Sequence, residues 1–289
     1  MQANIRMIQR LSVVLLLSVS VLSGCSGDKK EAVAALPPAV KPGSVAPRPS
    51  VVLVPATAYQ PIQVADGGTL SGTVDYDGVI PADSVIHVPP EQVGCGPTIT
   101  ARAVDHKGTR INGVIVWITD IRTGKPLPVA RRFELSNTAC LLTPRIQAVS
   151  AAGTLNMSSE DVTMHRDRII NVGTGEMVGL APFNDNGEVV PFDRLLDKPA
   201  ELEITCELHP WSKAFILVFD HPYFAMTSSS GSFSIGDVPP GAYHVRAWHP
   251  SLGVSDQTVT IAAGQSASLA LTLSSGVATA AAAAPASNQ

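Results

Sequence analysis

Ala200-Glu201-Leu202-Glu203-Ile204-Thr205-Cys206 runs into Glu207-Leu208-His209-Pro210-Trp211, and after three more residues comes Phe215-Ile216-Leu217-Val218-Phe219. In the first segment Leu202, Ile204 and Cys206 alternate with Glu201, Glu203 and Thr205, the two-residue period of a strand with one face turned inward. The last segment is an unbroken apolar run rich in β-branched and aromatic residues, as a strand covered on both faces requires. Between them lies a short loop whose proline restricts the backbone. A thiol and an imidazole three residues apart therefore stand at the rim of a core.

The same reading extends outward in both directions. Thr69 to Tyr76 alternates Leu70, Val74 and Tyr76 with Ser71, Thr73 and Asp75, and Asp77-Gly78 turns the chain. Val114 to Ile118 is a second continuous apolar run, predicted to lie in the core. Thr154 to Met157, Ile169 to Val172 and Met177 to Leu180 are short strands punctuated by glycines. Further strands are expected around Phe233 and Ile235, over Tyr243 to Ala247, from Gln257 to Ile261 and from Ser266 to Leu273, with no strong helix anywhere. The expected fold class is all-β: a larger Greek-key sandwich followed by a smaller one.

Composition supports this and removes other classes. With 289 residues, 45% of them apolar, the chain can bury a core, so wholesale disorder is excluded. Its net charge of −4, with 20 Lys and Arg that never form a run, lacks the electrostatic footprint of a nucleic-acid binder. The 23 Gly and 23 Pro suit many short strands joined by tight turns. No phosphate loop, His-Glu-x-x-His or Gly-x-Ser-x-Gly is present, so no enzyme activity is expected.

The N-terminus reads as an export signal, residues 1–24. Arg6 and Arg10 precede the apolar stretch Leu11 to Leu22, too short to span a bilayer, and Leu22-Ser23-Gly24-Cys25 follows. That tetrad resembles a bacterial lipobox, which implies a lipid on Cys25. By the same rule Ser26, where inner-membrane lipoproteins usually carry Asp, implies an outer-membrane anchor facing the periplasm or the exterior. Residues 25–60 read as a Pro/Ala-rich tether and 276–289 as a disordered Ala-rich tail.

With Cys25 lipidated, three cysteines remain in an oxidising compartment. Cys95 and Cys140 lie in turn-rich segments and are expected to pair, leaving Cys206 free at the end of its strand. A free buried cysteine can be a small hydrophobe and nothing more. A thiolate with two imidazoles, however, is a recognised trigonal copper arrangement, because a soft sulfur and borderline nitrogens suit both oxidation states. Cys206 and His209 supply two donors, and His165, between two upstream strand segments, is the expected third. Zinc is the chemical competitor and would need a fourth donor such as His221.

Cys206-Glu207-Leu208-His209-Pro210-Trp211, followed by His221-Pro222-Tyr223-Phe224-Ala225, resembles a family of exported cupredoxin-like proteins that share the fold of plastocyanin and azurin. In that family a Cys-Gly segment, a later Cys near a Pro-Arg or Pro-His pair, an upstream His motif and Cys-x-x-His-Pro-Trp occur in order. Cys95-Gly96, Cys140 with Pro144-Arg145, and His165 match it. The resemblance spans Thr69 to Trp248 and implies one bound copper, for electron transfer or copper handling, and a redox protein partner. Two positions depart from the family: Ser212 stands where a Met usually follows the Trp, and Arg168 where a second His often lies. The axial position is then empty, filled by water, or taken by Met164 or Met226.

Gly231 to Ile235 with Val238-Pro239-Pro240-Gly241-Ala242-Tyr243 resembles the carboxypeptidase regulatory-like or carbohydrate-binding-like sandwich. The expected domains are thus 61–220, cupredoxin-like, and 221–275, the second module, which the strand 69–76 would complete if the module is split. The competing reading is a metal-free envelope scaffold that binds a glycan or a protein. Sugar binding needs an exposed aromatic platform, and Trp248, the nearby tryptophan, is expected in a core or interface instead.

Overall fold

The computed structural model describes residues 51, 58–129 and 131–274. The expected signal segment, Cys25, most of the tether and the tail lie outside them. Among the described residues there are strands and turns but no α-helix, so the all-β reading holds.

Four larger sheets stack as layers, and three apolar clusters fill the gaps between them. The outermost sheet, containing Arg132–Thr138, Leu141–Thr143, Thr154–Ser159 and Val189–Phe192, packs on a second built from Ile146–Ser150, Lys213–Phe219, Ala200–Cys206, His165–Asn171 and Met177–Phe183. Leu135, Leu155, Met157, Ile169, Phe183, Leu202 and Ile204 fill the gap between them. These two sheets form the sandwich that carries the Cys206 loop. The third sheet contains Ile115–Ile118, Phe224–Met226, Gly241–His249 and Gly253–Ile261. The fourth contains Gly68–Tyr76, Arg110–Ile111, Ser232–Val238 and Ser266–Leu273, and Leu70, Val74, Phe233, Val245 and Leu271 pack between these two.

The continuous apolar runs owe their composition to this stacking. Along Lys213–Phe219, Ala214, Ile216 and Val218 face the first core, while Phe215, Leu217 and Phe219 face the third sheet. There they meet Ile115, Trp117 and Trp248. Ile115–Ile118 alternates in the same way, with Val116 and Ile118 in the second sandwich's own core. A strand whose both faces are dry has no place for a polar alternation. Trp248 is fully buried in this seam and offers no exposed platform.

Sheet pairing redraws the expected boundary at residue 220. Gly68–Tyr76 pairs in parallel with Ser266–Leu273 and antiparallel with Ser232–Val238, and Ile115–Ile118 pairs with Gly241–His249. Chain from both sides of the first sandwich therefore builds the second, and the 69–76 strand is one of its central members. The first sandwich is an insertion over about 132–219. Inside the expected tether, Val51 is buried in the seam, where its N–H donates to the Glu201 carboxylate at 3.0 Å. Glu201, expected on a solvent face, is consequently buried.

Candidate metal centre

Strand register places the three donors. His165 opens the strand His165–Asn171 and Cys206 closes Ala200–Cys206, which run antiparallel with Asp167 opposite Cys206. His165 and Asp167, two residues apart, share the inward face. Beyond Cys206 the chain folds back tightly: Glu207 N–H donates to Arg166 C=O, Ser212 N–H to His209 C=O, and Cys206 N–H to Ser212 C=O. This turn carries the His209 ring back over its own strand end. All three side chains are buried.

The facing atoms are Nδ1 of both histidines and Sγ of Cys206. His209 Nδ1 lies 3.1 Å from His165 Nδ1, and Cys206 Sγ lies 3.6 and 3.5 Å from His165 Nδ1 and His209 Nδ1. A triangle with these sides has an equidistant point at about 2.0 Å from each corner, against about 2.0–2.1 Å for metal–nitrogen and about 2.3 Å for metal–sulfur bonds. Opening the sulfur corner by a few tenths of an ångström meets both values.

The outer ring nitrogens decide what the inner ones present. His165 Nε2 lies 3.0 Å from Asp161 Oδ2, an acceptor when ionised, so the ring donates its N–H there and keeps a lone pair on Nδ1. His209 Nε2 lies 3.4 Å from Cys95 Sγ, a weak acceptor, whereas its Nδ1 lies 3.1 Å from His165 Nδ1. Without a metal its proton therefore sits on Nδ1 and donates to the His165 lone pair, and a metal ion would shift it outward to Nε2. The two Nδ1 atoms and the sulfur lie within 3.6 Å of one another. Two neutral imidazoles and a sulfur are the donor types that soft and borderline cations take, so the donor set fits a metal ion.

Electrostatics keep the imidazoles neutral. Burial pushes His209 down to about 4, with the neighbouring His165 adding to the shift. Burial also lowers His165, against the opposing pull of Asp167 and Asp161. Burial pushes the Cys206 thiol up to about 11, against the Arg166 N–H that points at Sγ from 3.4 Å. At neutral pH the sulfur is therefore a thiol, and a metal must displace its proton to bind.

The surrounding shell contains residues that motif reading overlooked. Asp161 Oδ2 also accepts the Cys140 N–H at 2.9 Å, and Asn137 Nδ2 donates to the buried Asp167 carboxylate at 2.6 Å. Burial raises Asp167, opposed by Asn137, by its contact with Cys206 and by His165. Counting the inward face from His165 with a period of two would have pointed to Asp167; nothing local flags Asn137. Ser212 Oγ accepts the Leu142 N–H at 2.7 Å, so this residue pins the ligand loop to the opposite sheet.

Cys95 and Cys140 form a disulfide, and Cys206 is free and buried. Cys140 and Ala139 form the two-residue turn joining Arg132–Thr138 to Leu141–Thr143, with φ of 58° and 51°. Both lie in the left-handed region that hairpin turns of this length require. Trp211 donates Nε1–H to Cys140 C=O at 3.2 Å and packs 5.3 Å from the His209 ring. His221 lies elsewhere: its ring packs on Tyr59, Phe219 and Tyr223, and Nδ1 accepts the Tyr223 N–H. Among the described residues, no fourth His, Cys, Asp or Glu joins His165, Cys206 and His209 as a mutual cluster. Met164 is 55% exposed, and Met226 pairs with Ile115 in the second sandwich.

Residues 209–269 match the model of fn3_3, polysaccharide lyase family 4, domain II. No curated protein matches the chain. Several solved structures are similar over about a third of its length. The copper-containing nitrite reductase of Thermus scotoductus SA-01 is 20% identical, with a TM-score of 0.28, over 34% of this chain; the match spans 26% of that enzyme. A purple cupredoxin from Nitrosopumilus maritimus is 16% identical over 30% of this chain and 98% of its own, with a TM-score of 0.25. Amicyanin from Paracoccus versutus is 15% identical over 36% and 96%, with a TM-score of 0.23.

Proposed function

We propose that this chain is a cell-envelope copper protein, binding one ion through His165 Nδ1, Cys206 Sγ and His209 Nδ1 and using it for electron transfer. The observation that carries this reading is the convergence of two imidazole Nδ1 atoms and one sulfur around a common point about 2.0 Å from each. Copper, when bound, supplies a one-electron couple. The chain's own residues supply rigidity: the strand register fixes His165 and Cys206, Ser212 and Trp211 fix the loop of His209, and Asp161 orients His165. A site whose ligands cannot rearrange lets a metal change oxidation state with little reorganisation. Three mutually clustered donors suit trigonal copper better than a closed tetrahedral zinc site.

The N-terminal pattern supports export, lipidation at Cys25 and an outer-membrane location, and the partner in this reading is a redox protein. The second sandwich, of the carboxypeptidase regulatory-like kind, braces the copper domain through the seam around Trp117 and Trp248. No catalytic role is assigned.

Copper titration of the purified metal-free protein tests the reading. The expected result is about one equivalent per chain, with a visible thiolate-to-copper absorption that Cys206→Ser abolishes while the thermal unfolding profile stays that of a folded sandwich. A reduced, folded protein that takes up no copper sinks the proposal and leaves the metal-free scaffold reading.

A further inference from the structure

The first centre uses only one of the two nitrogens of His209. The other, Nε2, faces the Cys95–Cys140 disulfide, with Cys95 Sγ at 3.4 Å. Ligand atoms of Cys95, Cys140 and His209 all lie within 4.8 Å of one another. The two half-cystines are mounted differently. Cys140 is buried and held on both sides of its backbone, its N–H by Asp161 and its C=O by Trp211. Cys95 is partly exposed and sits between Gly94 and Gly96, both at positive φ, and a Cβ built on Gly96 would meet nothing within 4 Å. One sulfur is thus held from both sides of its backbone, and the other sits on a glycine-flanked loop that packs on Thr163 at Gly94 and is open on the Gly96 side.

We infer that reduction of this disulfide creates a second site for a soft monovalent cation, Cu(I), on Cys95 Sγ, Cys140 Sγ and His209 Nε2. Thiolates select Cu(I), and two thiolates with one imidazole complete a three-coordinate set. The Cα atoms of the pair are 5.6 Å apart, a separation that serves a disulfide and equally lets two thiolates part around one ion.

The reductant is a dithiol. Its thiolate attacks the partly exposed Cys95 sulfur and Cys140 leaves as a thiolate that takes up a proton. The second thiol of the reductant then releases Cys95 as a thiol and closes its own disulfide. Two electrons and two protons pass from dithiol to cystine, and Cu(I) displaces both thiol protons as it binds. With no ion at the first centre, the His209 proton is on Nδ1, where it donates to His165 Nδ1 at 3.1 Å and leaves Nε2 free to bind.

Cys206→Ser separates this site from the proposed electron-transfer centre, because Cys206 contributes nothing to it. The metal-free variant is titrated with Cu(I) against a chromogenic Cu(I) chelator, once oxidised and once after dithiothreitol treatment and anaerobic desalting. The expected result is no competitive uptake when oxidised and about one equivalent per chain when reduced. Adding Cys95→Ser and Cys140→Ser removes the uptake, and adding His209→Ala instead weakens it about tenfold or more. Reduced Cys206→Ser taking up no more Cu(I) than the triple serine variant overturns the site. So does an affinity indifferent to His209→Ala, which would indicate a bare dithiol. If Cys206→Ser does not fold, Cys206→Ala, which likewise lacks the first centre, takes its place in the same titration, and no gain of uptake on reduction there overturns the site equally. Failure of oxidised wild-type protein to bind copper would sink the first centre and leave these comparisons intact.

Discussion

Asp161→Ala tests whether the shell around the donors acts on them. Asp161 Oδ2 accepts from His165 Nε2 at 3.0 Å and from the Cys140 N–H at 2.9 Å, so the substitution removes two bonds with separable consequences. Losing the carboxylate frees the His165 ring to rotate and to move its proton to Nδ1, which blocks the donor lone pair. Loss of such a partner weakens metal binding by about 10–100-fold, or about 1.4–2.7 kcal/mol. Leaving the Cys140 N–H unpaired costs about 1–3 kcal/mol of folding stability, whether or not metal is present. Copper affinity measured by chelator competition on folded protein reads the first effect, and urea unfolding of the metal-free protein reads the second. Asp161→Asn keeps an acceptor oxygen but no charge, so its stability should return most of the way while its copper affinity stays between those of Ala and wild type. Asp161→Ala binding copper within about threefold of wild type, together with the expected loss of stability, would show that the His165 ring is held by something else and would refute the tautomer argument.

Ser212→Ala strands the buried Leu142 N–H, and urea unfolding should show a loss of about 1–3 kcal/mol; no loss would mean that the loop is held elsewhere. Leu217→Ala opens a cavity in the seam between the two sandwiches and should lower stability by about 2–5 kcal/mol, read by the same assay; a change under about 0.5 kcal/mol would contradict a dry interface. Burial lowers His221 to about 4 and His249 to about 3, with Arg122 and Arg145 respectively adding to the shift. The unfolded chain therefore binds protons that the folded one refuses. Stability is full above about pH 6.5 and falls as the pH drops toward 4, by about 1.4 kcal/mol per unit for each ring. Urea midpoints from pH 7 to 4.5 measure this slope, and a His221→Gln, His249→Gln double variant with the wild-type slope would falsify it.

Local patterns carried the strands. Ala200–Cys206 begins and ends where alternation of Leu202, Ile204 and Cys206 places it, and Ser266–Leu273 likewise. The two apolar runs announced strands dry on both faces, because a side chain's face depends only on its parity along the strand. Glu201 broke its parity because that face of the strand turned out to be a seam, in which Val51 supplies a partner for the carboxylate. The domain boundary was not legible for a related reason. Nothing within Gly68–Tyr76 distinguishes a strand that will pair with its neighbours from one that will pair with Ser266–Leu273 at the other end of the described chain.

The sequence alone determined the all-β class, the inward-facing thiol, and the choice of His165 and His209 as the imidazoles to examine, since those follow from residue type and spacing. Tertiary structure decided the rest. Atoms 41 and 44 residues apart come within 3.6 Å only through strand register, and the outer ring nitrogens face Asp161 and Cys95, which no local pattern connects to the histidines they meet. Periodicity is a property of neighbours along the chain, whereas a donor triangle and its shell are properties of which strands lie side by side.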